Sequence, residues 1–329
     1  MADARRLVVL GGPIHPDALA LLETEARVVV TKEETEAGFV GVAAGAQGIL
    51  IRGKPPVTAT LMDAIKGLRV VGRHGVGLDT VDILAATRLG VAVVHAPGSN
   101  SQAVAEHALM LMLACAKHTF EVDKLARKGD WAGRTNVHAF ELGGRTLGIV
   151  GVGNVGRRVA KFTAALGMRV LGYDPYVAPD ELRRRGVEPV ATLETMLPQC
   201  DVVTFHTPLT PDTRGMLGAK NIALMKRGAM VINTCRGGVQ EEHALFEALT
   251  RGTIAAAGLD VWEQEPVSPD NPIMNLPNVV CSGHVAGSTQ EAHRTAGMQV
   301  AGEMLRVLRG EKPEVLVNPA VWPRLGVRG

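Results

Sequence analysis

The sequence predicts an α/β protein with a doubly wound parallel sheet, preceded by a smaller α/β unit. The first observation is an apolar run from Thr146 that opens onto the glycine pattern Gly151-x-Gly153-x-x-Gly156. That pattern is typical of a tight turn from a strand into a helix. The second is that six short β-like runs alternate with helical patterns from residue 146 onward. The third is a similar alternation within residues 5–100. Such alternation favours parallel sheets covered by helices.

The elements follow in order. Strand candidates are rich in β-branched residues and lie between turn signals: 7–10, 28–31, 48–51, 69–71 and 91–94, then 147–150, 169–173, 201–205, 229–232, 254–259 and 279–281. Residues 96–101 break the pattern and precede a long helix predicted to run to about residue 118. Near the end, Ser288-x-x-Glu291 resembles a capping box. The helix it would open carries an apolar stripe of Ala292, Ala296, Val300, Met304 and Leu308.

The glycine turn predicts a dinucleotide site. Gly151 permits the tight turn, Gly153 lets the backbone approach a pyrophosphate, and Gly156 lets the helix pack closely on its strand. The helix N-terminus then presents N–H groups to the phosphates. The run Arg169-Val-Leu-Gly-Tyr-Asp174 follows one helix later and ends in an acid, placed where a carboxylate holds the adenosine ribose.

Asp174 also indicates which dinucleotide is bound. Its charge would repel a 2′-phosphate, and Pro175 and Tyr176 follow it rather than a basic residue. NAD is therefore favoured over NADP. The alternative is that Asp174 is only a turn residue that ends a strand before a proline.

Composition excludes several classes of protein. The chain has 329 residues, enough for about two domains. A net charge of +2 and few aromatics (six Phe, three Trp and two Tyr) argue against nucleic-acid binding. The longest apolar run, residues 108–116, is too short to span a bilayer and predicts a buried helix, at a domain or subunit interface. No signal peptide or appended regulatory domain is expected.

The cysteines favour a cytoplasmic protein without a bound metal. Cys115, Cys200, Cys235 and Cys281 are scattered, with no C-x-x-C pair and no matching histidine spacing. This distribution is typical of reduced thiols, not of disulfides or a zinc site.

Polar residues follow three of the predicted strands in the second half of the chain. Arg236, Asp260, Glu265 and His284 all lie in loops just after strands, and the carboxyl ends of parallel strands are where ligands bind. Reduction of a carbonyl by hydride needs such a set: a cation to hold and polarise the substrate, an acid to deliver a proton, and a carboxylate to orient that acid. Taken singly, each residue has another explanation. Arg236 could form a structural salt bridge, His284 could be a hydrogen-bonded histidine of the core, and Glu265 could be a solvated acid at the surface.

In these motifs the chain resembles the D-isomer-specific 2-hydroxyacid dehydrogenase family, which includes phosphoglycerate dehydrogenases and glyoxylate/hydroxypyruvate reductases. The resemblance covers residues 5–315 and rests on several segments together with the glycine turn: Arg73-His-Gly-Val-Gly-Leu-Asp79, Ala96-Pro-Gly-Ser-Asn100, Val104-Ala-Glu106, His206 to Gly215, Arg236-Gly-Gly238, Asp260 to Pro266 and Gly283 to Thr289. The chain departs from the family pattern at Val76 and Cys235, where small residues are usual.

The resemblance implies a role for each matching residue. Arg236 would bind the substrate carboxylate and carbonyl, His284 would be the acid/base, and Glu265 its partner. Other substrate contacts would come from Arg52, Val76, Gly77 and Asn100, in addition to Arg236 and His284. Residues that line NAD would be Gly151, Gly153, Asn154, Val155, Gly156, Asp174, His206, Thr207, Pro208, Thr213, Thr234, Cys235, Arg236, Asp260, His284, Ala286 and Gly287.

The resemblance also implies the domain organisation. Residues 1–101 and 288–329 would form a discontinuous, flavodoxin-like substrate domain, and residues 102–287 a Rossmann NAD-binding domain, with the active site in a cleft. Family members are typically homodimers formed through the nucleotide domain, mostly by residues 103–143. Cys235 could make the site sensitive to oxidation, although an inert packing role fits it better.

The function that follows is hydride transfer between NAD(H) and C2 of a small D-2-hydroxyacid or 2-oxoacid. Arg73 and Arg134 keep a phosphorylated substrate such as 3-phosphoglycerate open beside hydroxypyruvate and glyoxylate. Formate dehydrogenases lack an acid at the position of Glu265, so that branch is disfavoured, and phosphite oxidation is more remote. An NAD-sensing corepressor on the same fold is the alternative from another class; no membrane or nucleic-acid partner is expected.

Overall fold

The computed structural model describes residues 5–325, so the first and last four residues of the predicted domains lie outside it. The chain divides into two compact units. Unit one contains residues 5–100 and 288–325, and unit two contains residues 101–287. Each unit has its own parallel sheet, with a hydrophobic core on each face of the sheet.

The strands in chain order are β1 (Arg6–Gly11), β2 (Ala26–Thr31), β3 (Gly48–Ile51), β4 (Val70–Arg73), β5 (Ala92–His95), β6 (Thr146–Val150), β7 (Arg169–Tyr173), β8 (Glu188–Pro189), β9 (Val202–Phe205), β10 (Ala229–Asn233), β11 (Ile254–Leu259) and β12 (Val279–Cys281). The α-helices are α1 (Pro16–Glu23), α2 (Glu36–Val42), α3 (Ala59–Ala64), α4 (Ile83–Leu89), α5 (Ser101–Lys117), α6 (Thr119–Arg127), α7 (Gly156–Ala165), α8 (Pro179–Arg184), α9 (Leu193–Met196), α10 (Ala219–Ile222), α11 (Glu242–Thr250), α12 (Gln290–Arg309) and α13 (Trp322–Leu325). Short 3₁₀ turns span Gly133–Asn136, Leu197–Gln199, Gly237–Val239, Pro272–Asn275 and Pro319–Val321.

Unit one is built on a five-stranded sheet in the order β2-β1-β3-β4-β5. All its strand pairs are parallel, and this order is the flavodoxin-like one. Side chains alternate across the sheet: Val8 and Leu10 join one core with α1 and α12, whereas Val9 joins the opposite core. The chain returns to this unit through α12, which packs on β4 and β5.

Unit two is built on a seven-stranded parallel sheet in the order β12-β11-β10-β9-β6-β7-β8. The strand order reverses between β6 and β9, which is the position where doubly wound sheets bind ligands. A hydrophobic core covers each face, and α5 and α7 belong to the same face. The predicted fold class is confirmed by these two sheets.

Two local predictions are corrected. The sheet of unit two has a seventh strand, β8, which the sequence pattern misses because it has only two residues, one of them a proline. The last long helix is capped by Thr289, whose side chain accepts a hydrogen bond from Ala292 N, and not by Ser288. The five residues of its predicted apolar stripe are all buried: Ala292, Ala296, Val300, Met304 and Leu308.

The apolar run 108–116 lies within α5, and most of its residues are buried, although Met110 is 41% exposed. Within residues 5–325, no helix has the length and apolar character needed to cross a membrane.

The cysteines form no disulfide, and all four are free thiols. Burial raises the pKa of Cys115 and of Cys200 to about 12 in each case.

Candidate active site

The glycine turn joins β6 to α7 as a close-packed corner. Gly151 has φ 86°, and a Cβ there would lie 2.6 Å from the carbonyl oxygen of His206. A Cβ on Gly156 would lie 2.2 Å from Gly151 O, so the helix sits directly against the turn. A Cβ on Gly153, in contrast, meets nothing within 4 Å. The middle glycine therefore faces open space, which leaves room for a phosphate group beside the backbone.

Asp174 connects the end of β7 to this turn. Its Oδ2 accepts a hydrogen bond from Val152 N at 3.0 Å, and its Oδ1 accepts one from Tyr176 N at 3.1 Å. The carboxylate is partly exposed beside the glycine turn. Each carboxylate oxygen can accept a further hydrogen bond, so the geometry accommodates ribose hydroxyls as well as the turn.

Three buried polar atoms near neighbouring strand ends have no hydrogen-bond partner: His206 Nδ1, Thr207 Oγ1 and Thr234 Oγ1. His206 and Thr207 follow β9, and Thr234 follows β10. Unsatisfied buried polar atoms are rare in native proteins and commonly mark a ligand position. These residues, with the open space at Gly153, fit a bound dinucleotide. Burial lowers the pKa of His206 to about 3, so its imidazole stays neutral.

The structure brings Glu265 and His284 together from loops that follow β11 and β12. His284 Nδ1 lies 2.6 Å from Glu265 Oε2, and both side chains are partly exposed. The other carboxylate oxygen, Oε1, accepts a hydrogen bond from Trp262 N at 3.1 Å. This second bond fixes the carboxylate, which in turn orients the imidazole so that Nε2 remains available to a substrate.

The two pKa values move in opposite directions. The hydrogen bond that His284 donates to Glu265 raises the pKa of His284, against the effects of partial burial and of the Arg236 charge. Partial burial alone would raise the pKa of Glu265, but the hydrogen bonds that it accepts from His284 and Trp262 outweigh this effect and lower that pKa. The pairing therefore favours a protonated His284 beside an ionised Glu265.

Arg236 follows β10 in a loop that the protein interior holds in place. The buried Asn233 donates to Arg236 O at 2.9 Å and accepts from Cys235 N at 2.9 Å. The next residue, Gly237, must be glycine, because its Cβ would lie 1.9 Å from the Trp262 carbonyl carbon. The loop of Arg236 is thus packed against the loop of Glu265. The guanidinium acts on the pKa values of both Glu265 and His284.

Asp260 is one of the buried members of the predicted cofactor residues. Its side chain is fully buried, with 0% exposure. The carboxylate accepts hydrogen bonds from Ser282 Oγ at 2.6 Å, Val285 N at 2.9 Å and Ala286 N at 2.9 Å. Because a buried carboxylate needs donors, it draws the His284 loop around itself. The predicted contact of this residue with the cofactor stays a prediction.

The other predicted cofactor residues lie at the same strand ends and differ in exposure. Asn154 and Pro208 are exposed, Val155, Thr213 and Gly287 are half-buried, and Ala286 is buried. Cys235 is half-buried as a residue and its thiol donates to Asn233 Oδ1 at 3.1 Å. Burial raises the pKa of this thiol, which favours an inert packing role.

The predicted substrate residues of unit one follow the carboxyl ends of its strands. Arg52 follows β3, Val76 and Gly77 follow β4, and Asn100 follows β5. The Arg52 guanidinium lies 3.5 Å from both ring nitrogens of His293 on α12.

No sequence pattern predicts a site role for His293 or for its neighbour His74, and their rings are 5.9 Å apart. Only folding brings α12 back to β3 and β4. Burial, together with the nearby charges of Arg52 and His293, lowers the pKa of His74 to about 4.

Comparison with known proteins identifies the family. Residues 109–286 match the model of the D-isomer specific 2-hydroxyacid dehydrogenase, NAD binding domain. The chain belongs to this family. Residues 109–286 are accordingly an NAD-binding domain, and the predicted family and cofactor are confirmed.

Relatives from this family match along most of the chain. It is 40% identical over 311 residues to a D-3-phosphoglycerate dehydrogenase from Methanocaldococcus jannaschii, covering 94% of this chain and 59% of that protein. It is 35% identical over 308 residues to a hydroxypyruvate reductase from Thermotoga maritima, and the match covers 93% of this chain and 99% of that protein. The chain thus spans about 59% of the length of the phosphoglycerate dehydrogenase that it matches.

A solved structure of a dehydrogenase has a similar fold. The D-lactate dehydrogenase from Aquifex aeolicus, complexed with NAD and lactic acid, matches with a TM-score of 0.84 and 26% identity. The match covers 95% of this chain and 99% of that one.

Proposed function

We propose that the protein is an NAD-dependent dehydrogenase that transfers a hydride to or from C2 of a small D-2-hydroxyacid or 2-oxoacid. The observation that carries the proposal is the hydrogen-bonded pair of Glu265 and His284 with Arg236 acting on both groups. This set supplies an acid, its orienting carboxylate and a cation within an NAD-binding domain. We further propose that unit one supplies the substrate contacts Arg52, Val76, Gly77 and Asn100.

The residues of the site have separate tasks in this reaction. NAD, when bound, supplies or accepts the hydride. The glycine turn holds its pyrophosphate, Asp174 its ribose, and Thr207 and Thr234 offer hydroxyls that lack protein partners. Arg236 binds the substrate carboxylate and polarises the carbonyl oxygen. His284 donates a proton from Nε2 to that oxygen during reduction, and Glu265 stabilises the charged imidazole and keeps its Nδ1 proton in place.

The proposal is tested by steady-state kinetics of the purified chain with NADH and a panel of 2-oxoacids: phosphohydroxypyruvate, hydroxypyruvate, glyoxylate and pyruvate. We expect turnover of at least one, with a D-hydroxyacid as product where C2 is a stereocentre. The cationic Arg52 beside His293 supports an anionic substrate of the 3-phosphoglycerate, hydroxypyruvate or glyoxylate class. If the protein bound NADH but no 2-oxoacid of the panel oxidised it, the proposal that the protein is an enzyme would be contradicted.

The pH dependence of the reaction should follow His284. Reduction needs the protonated imidazole, so kcat/KM for the 2-oxoacid should fall as pH rises through the pKa of His284. Because Glu265 raises that pKa, Glu265→Gln should lower it and move the falling limb to lower pH. The rising limb of the oxidation profile should move in the same direction. Glu194→Gln, at an exposed position on α9, serves as the control; an unmoved limb in Glu265→Gln would remove the pair from the chemistry.

The preference for NAD over NADP depends on the charge of Asp174. Asp174→Ala should weaken NAD binding by about 10- to 100-fold, since hydrogen bonds to charged groups contribute about 1.5–3 kcal/mol. Asp174→Asn keeps an oxygen that can accept from Val152 N but removes the charge. It should therefore reduce the ratio of the affinity for NAD to the affinity for NADP. Calorimetric titration of both cofactors measures this, with the exposed Asp180→Ala as control. If the Asp174→Asn variant bound both cofactors as the wild type does, Asp174 would be a turn residue only.

We also propose that the chain forms a homodimer through unit two. Helix α6 has no buried residue, and a groove of about 540 Å³ beside it is lined by Leu109, Met110, Leu113 and Phe120. Phe120 is 61% exposed and Trp131 is 69% exposed. Large exposed apolar side chains that cluster are typical of subunit contacts. Light scattering should give a dimer mass, and Phe120→Asp should give the monomer; a monomeric wild type would refute the proposal.

We place the protein in the cytoplasm because all four cysteines are free and burial raises the pKa of each thiol. Such thiols persist in a reducing compartment. Titration of thiols in the denatured protein, isolated without reductant, should give four per chain. Two or fewer would indicate disulfide formation and an oxidising compartment.

A further inference from the structure

His284 holds a backbone conformation that is uncommon for residues other than glycine. Its φ is 55°, in the left-handed region that side chains with a Cβ rarely adopt. Its N–H donates to Asp260 O at 2.6 Å. A residue in this region persists only when the surrounding structure over-determines its position. The neighbours that hold this loop therefore decide where the imidazole lies.

Asp260 is the first of these neighbours. Its buried carboxylate binds the N–H groups of Val285 and Ala286, the two residues that follow His284. The same carboxylate accepts from Ser282 Oγ, so residues on both sides of His284 are attached to one buried group. A rotation of the Asp260 carboxylate would release two backbone N–H groups at once and move the imidazole away from Glu265.

Ser282 and His107 fix that rotation from outside the loop. Ser282 Oγ donates its only proton to Asp260 Oδ1 at 2.6 Å, so it must accept from His107 Nε2, which lies 2.9 Å away. The His107 ring also lies 3.7 Å from Asp260 Oδ1. His107 is carried by α5, whose side chains pack into the core of unit two, and its side chain is only 17% exposed. The chain of hydrogen bonds therefore links a rigid helix to the loop of His284.

The backbone of Ser282 is held as firmly as its hydroxyl. Its N–H donates to Leu259 O at 2.8 Å, and its carbonyl accepts from Trp262 Nε1 at 3.0 Å. Trp262 is the residue whose own N–H binds Glu265. One serine thus contacts both the group that sets the His284 loop and the residue that holds its carboxylate partner.

We propose that Ser282 and His107 are positioning residues for the reaction: the hydrogen-bonded chain from His107 through Ser282 to Asp260 aims the imidazole of His284 at Glu265. The inference rests on the proposed function for its kinetic consequence. Neither residue touches the reacting atoms in this arrangement, and their effect passes through Asp260. These hydrogen bonds also give partners to the partly buried polar groups of Ser282, just after β12, and of His107 on α5.

Matched pairs of variants test the proposal. Ser282→Ala removes the hydroxyl, whereas Ser282→Thr retains it; His107→Leu removes the donor, whereas His107→Gln retains an N–H near the position of Nε2. A misplacement of about 1 Å in a catalytic group costs roughly 10²-fold in rate. We expect Ser282→Ala and His107→Leu to lower kcat by about tenfold or more with little change in the KM for NADH, and the Thr and Gln variants to restore most of the loss.

A second readout does not need turnover. The pKa of His284 can be measured by NMR titration of its ring proton, assigned with His284→Ala. Glu265, Arg236 and Asp260 are the charged groups that act on this ring, and the Glu265 contact is the largest effect. We expect Ser282→Ala and His107→Leu to lower the His284 pKa because that contact loosens. The exposed His243→Gln on α11 should leave kcat and the His284 pKa unchanged.

The outcomes separate the two proposals. If the wild type turns over no 2-oxoacid but Ser282→Ala lowers the His284 pKa, the proposed function fails and the positioning chain stands. If Ser282→Ala and His107→Leu leave both kcat and the His284 pKa unchanged, the positioning chain is refuted. It is also refuted if Ser282→Thr and His107→Gln lower kcat as much as Ser282→Ala and His107→Leu do. A lower melting temperature in all variants, with no other change, would refute it as well.

Discussion

His284→Ala is expected to lower kcat for the best 2-oxoacid by about 10²- to 10⁴-fold, the usual contribution of a positioned general acid. The reason is geometric. The imidazole of His284 contacts the carboxylate of Glu265 in the candidate site, and the hydrogen bond that it donates to this carboxylate raises its pKa, which favours the protonated form. Removing the ring leaves the developing alkoxide without a proton donor. Steady-state kinetics at saturating NADH measures the loss.

The affinity for NADH distinguishes a chemical role of His284 from a structural one. The fit of the dinucleotide depends mainly on the glycine turn, on Asp174 and on the hydroxyls of Thr207 and Thr234, which the substitution does not touch. The dissociation constant of NADH should therefore stay within about threefold of the wild type, a difference of roughly 0.6 kcal/mol. A variant that keeps its turnover, or that loses NADH binding instead, would show that His284 only supports the loop.

Arg236→Lys should both raise KM and lower kcat, with a fall in kcat/KM of about 10²-fold or more. Arginine presents a planar fork that matches a carboxylate, whereas the lysine ammonium is a single point charge. The loop holds this arginine tightly, through Asn233 beneath its carbonyl and through the close approach of Gly237 to Trp262. The lysine ammonium cannot move to the position of the guanidinium, because the backbone of residue 236 is fixed.

The split between the two kinetic constants tests the role of Arg236. A loss in kcat alone would mean that it stabilises only the transition state, and an unchanged KM would remove it from substrate binding. Arg183→Lys, at an exposed position on α8, is the matched control. If Arg236→Lys equalled this control in both constants, the guanidinium would have a structural role.

Much of this architecture could be predicted from local patterns. Alternating apolar runs identify the strands because buried parallel strands are uniformly apolar, and the glycine turn identifies the first strand of the nucleotide domain because only glycine fits that corner. Arg236, Glu265 and His284 could be selected because residues just after parallel strands meet at one edge of the sheet. Strand β8 could not, since two residues leave no periodic signal.

Contacts between distant segments could not be predicted in the same way. The position of Asp260 after β11 makes it a candidate site residue, but the donors that its carboxylate accepts from depend on which loop closes over it. Ser282 and His107 carry no motif, and 175 residues separate them. His74 and His293 meet only because α12 returns to the sheet of unit one.

The amino-acid sequence by itself therefore determined the fold class, the family and the set of residues from which an active site is chosen, because strand periodicity, glycine turns and strand-end positions are properties of short segments. The tertiary structure alone decided how deeply each of those residues is buried and which side chains hold the others in place. The physical reason is that burial, hydrogen-bond partners and pKa are set by neighbours in space, and for Asp260 those neighbours lie in the loop that follows β12 and carries His284.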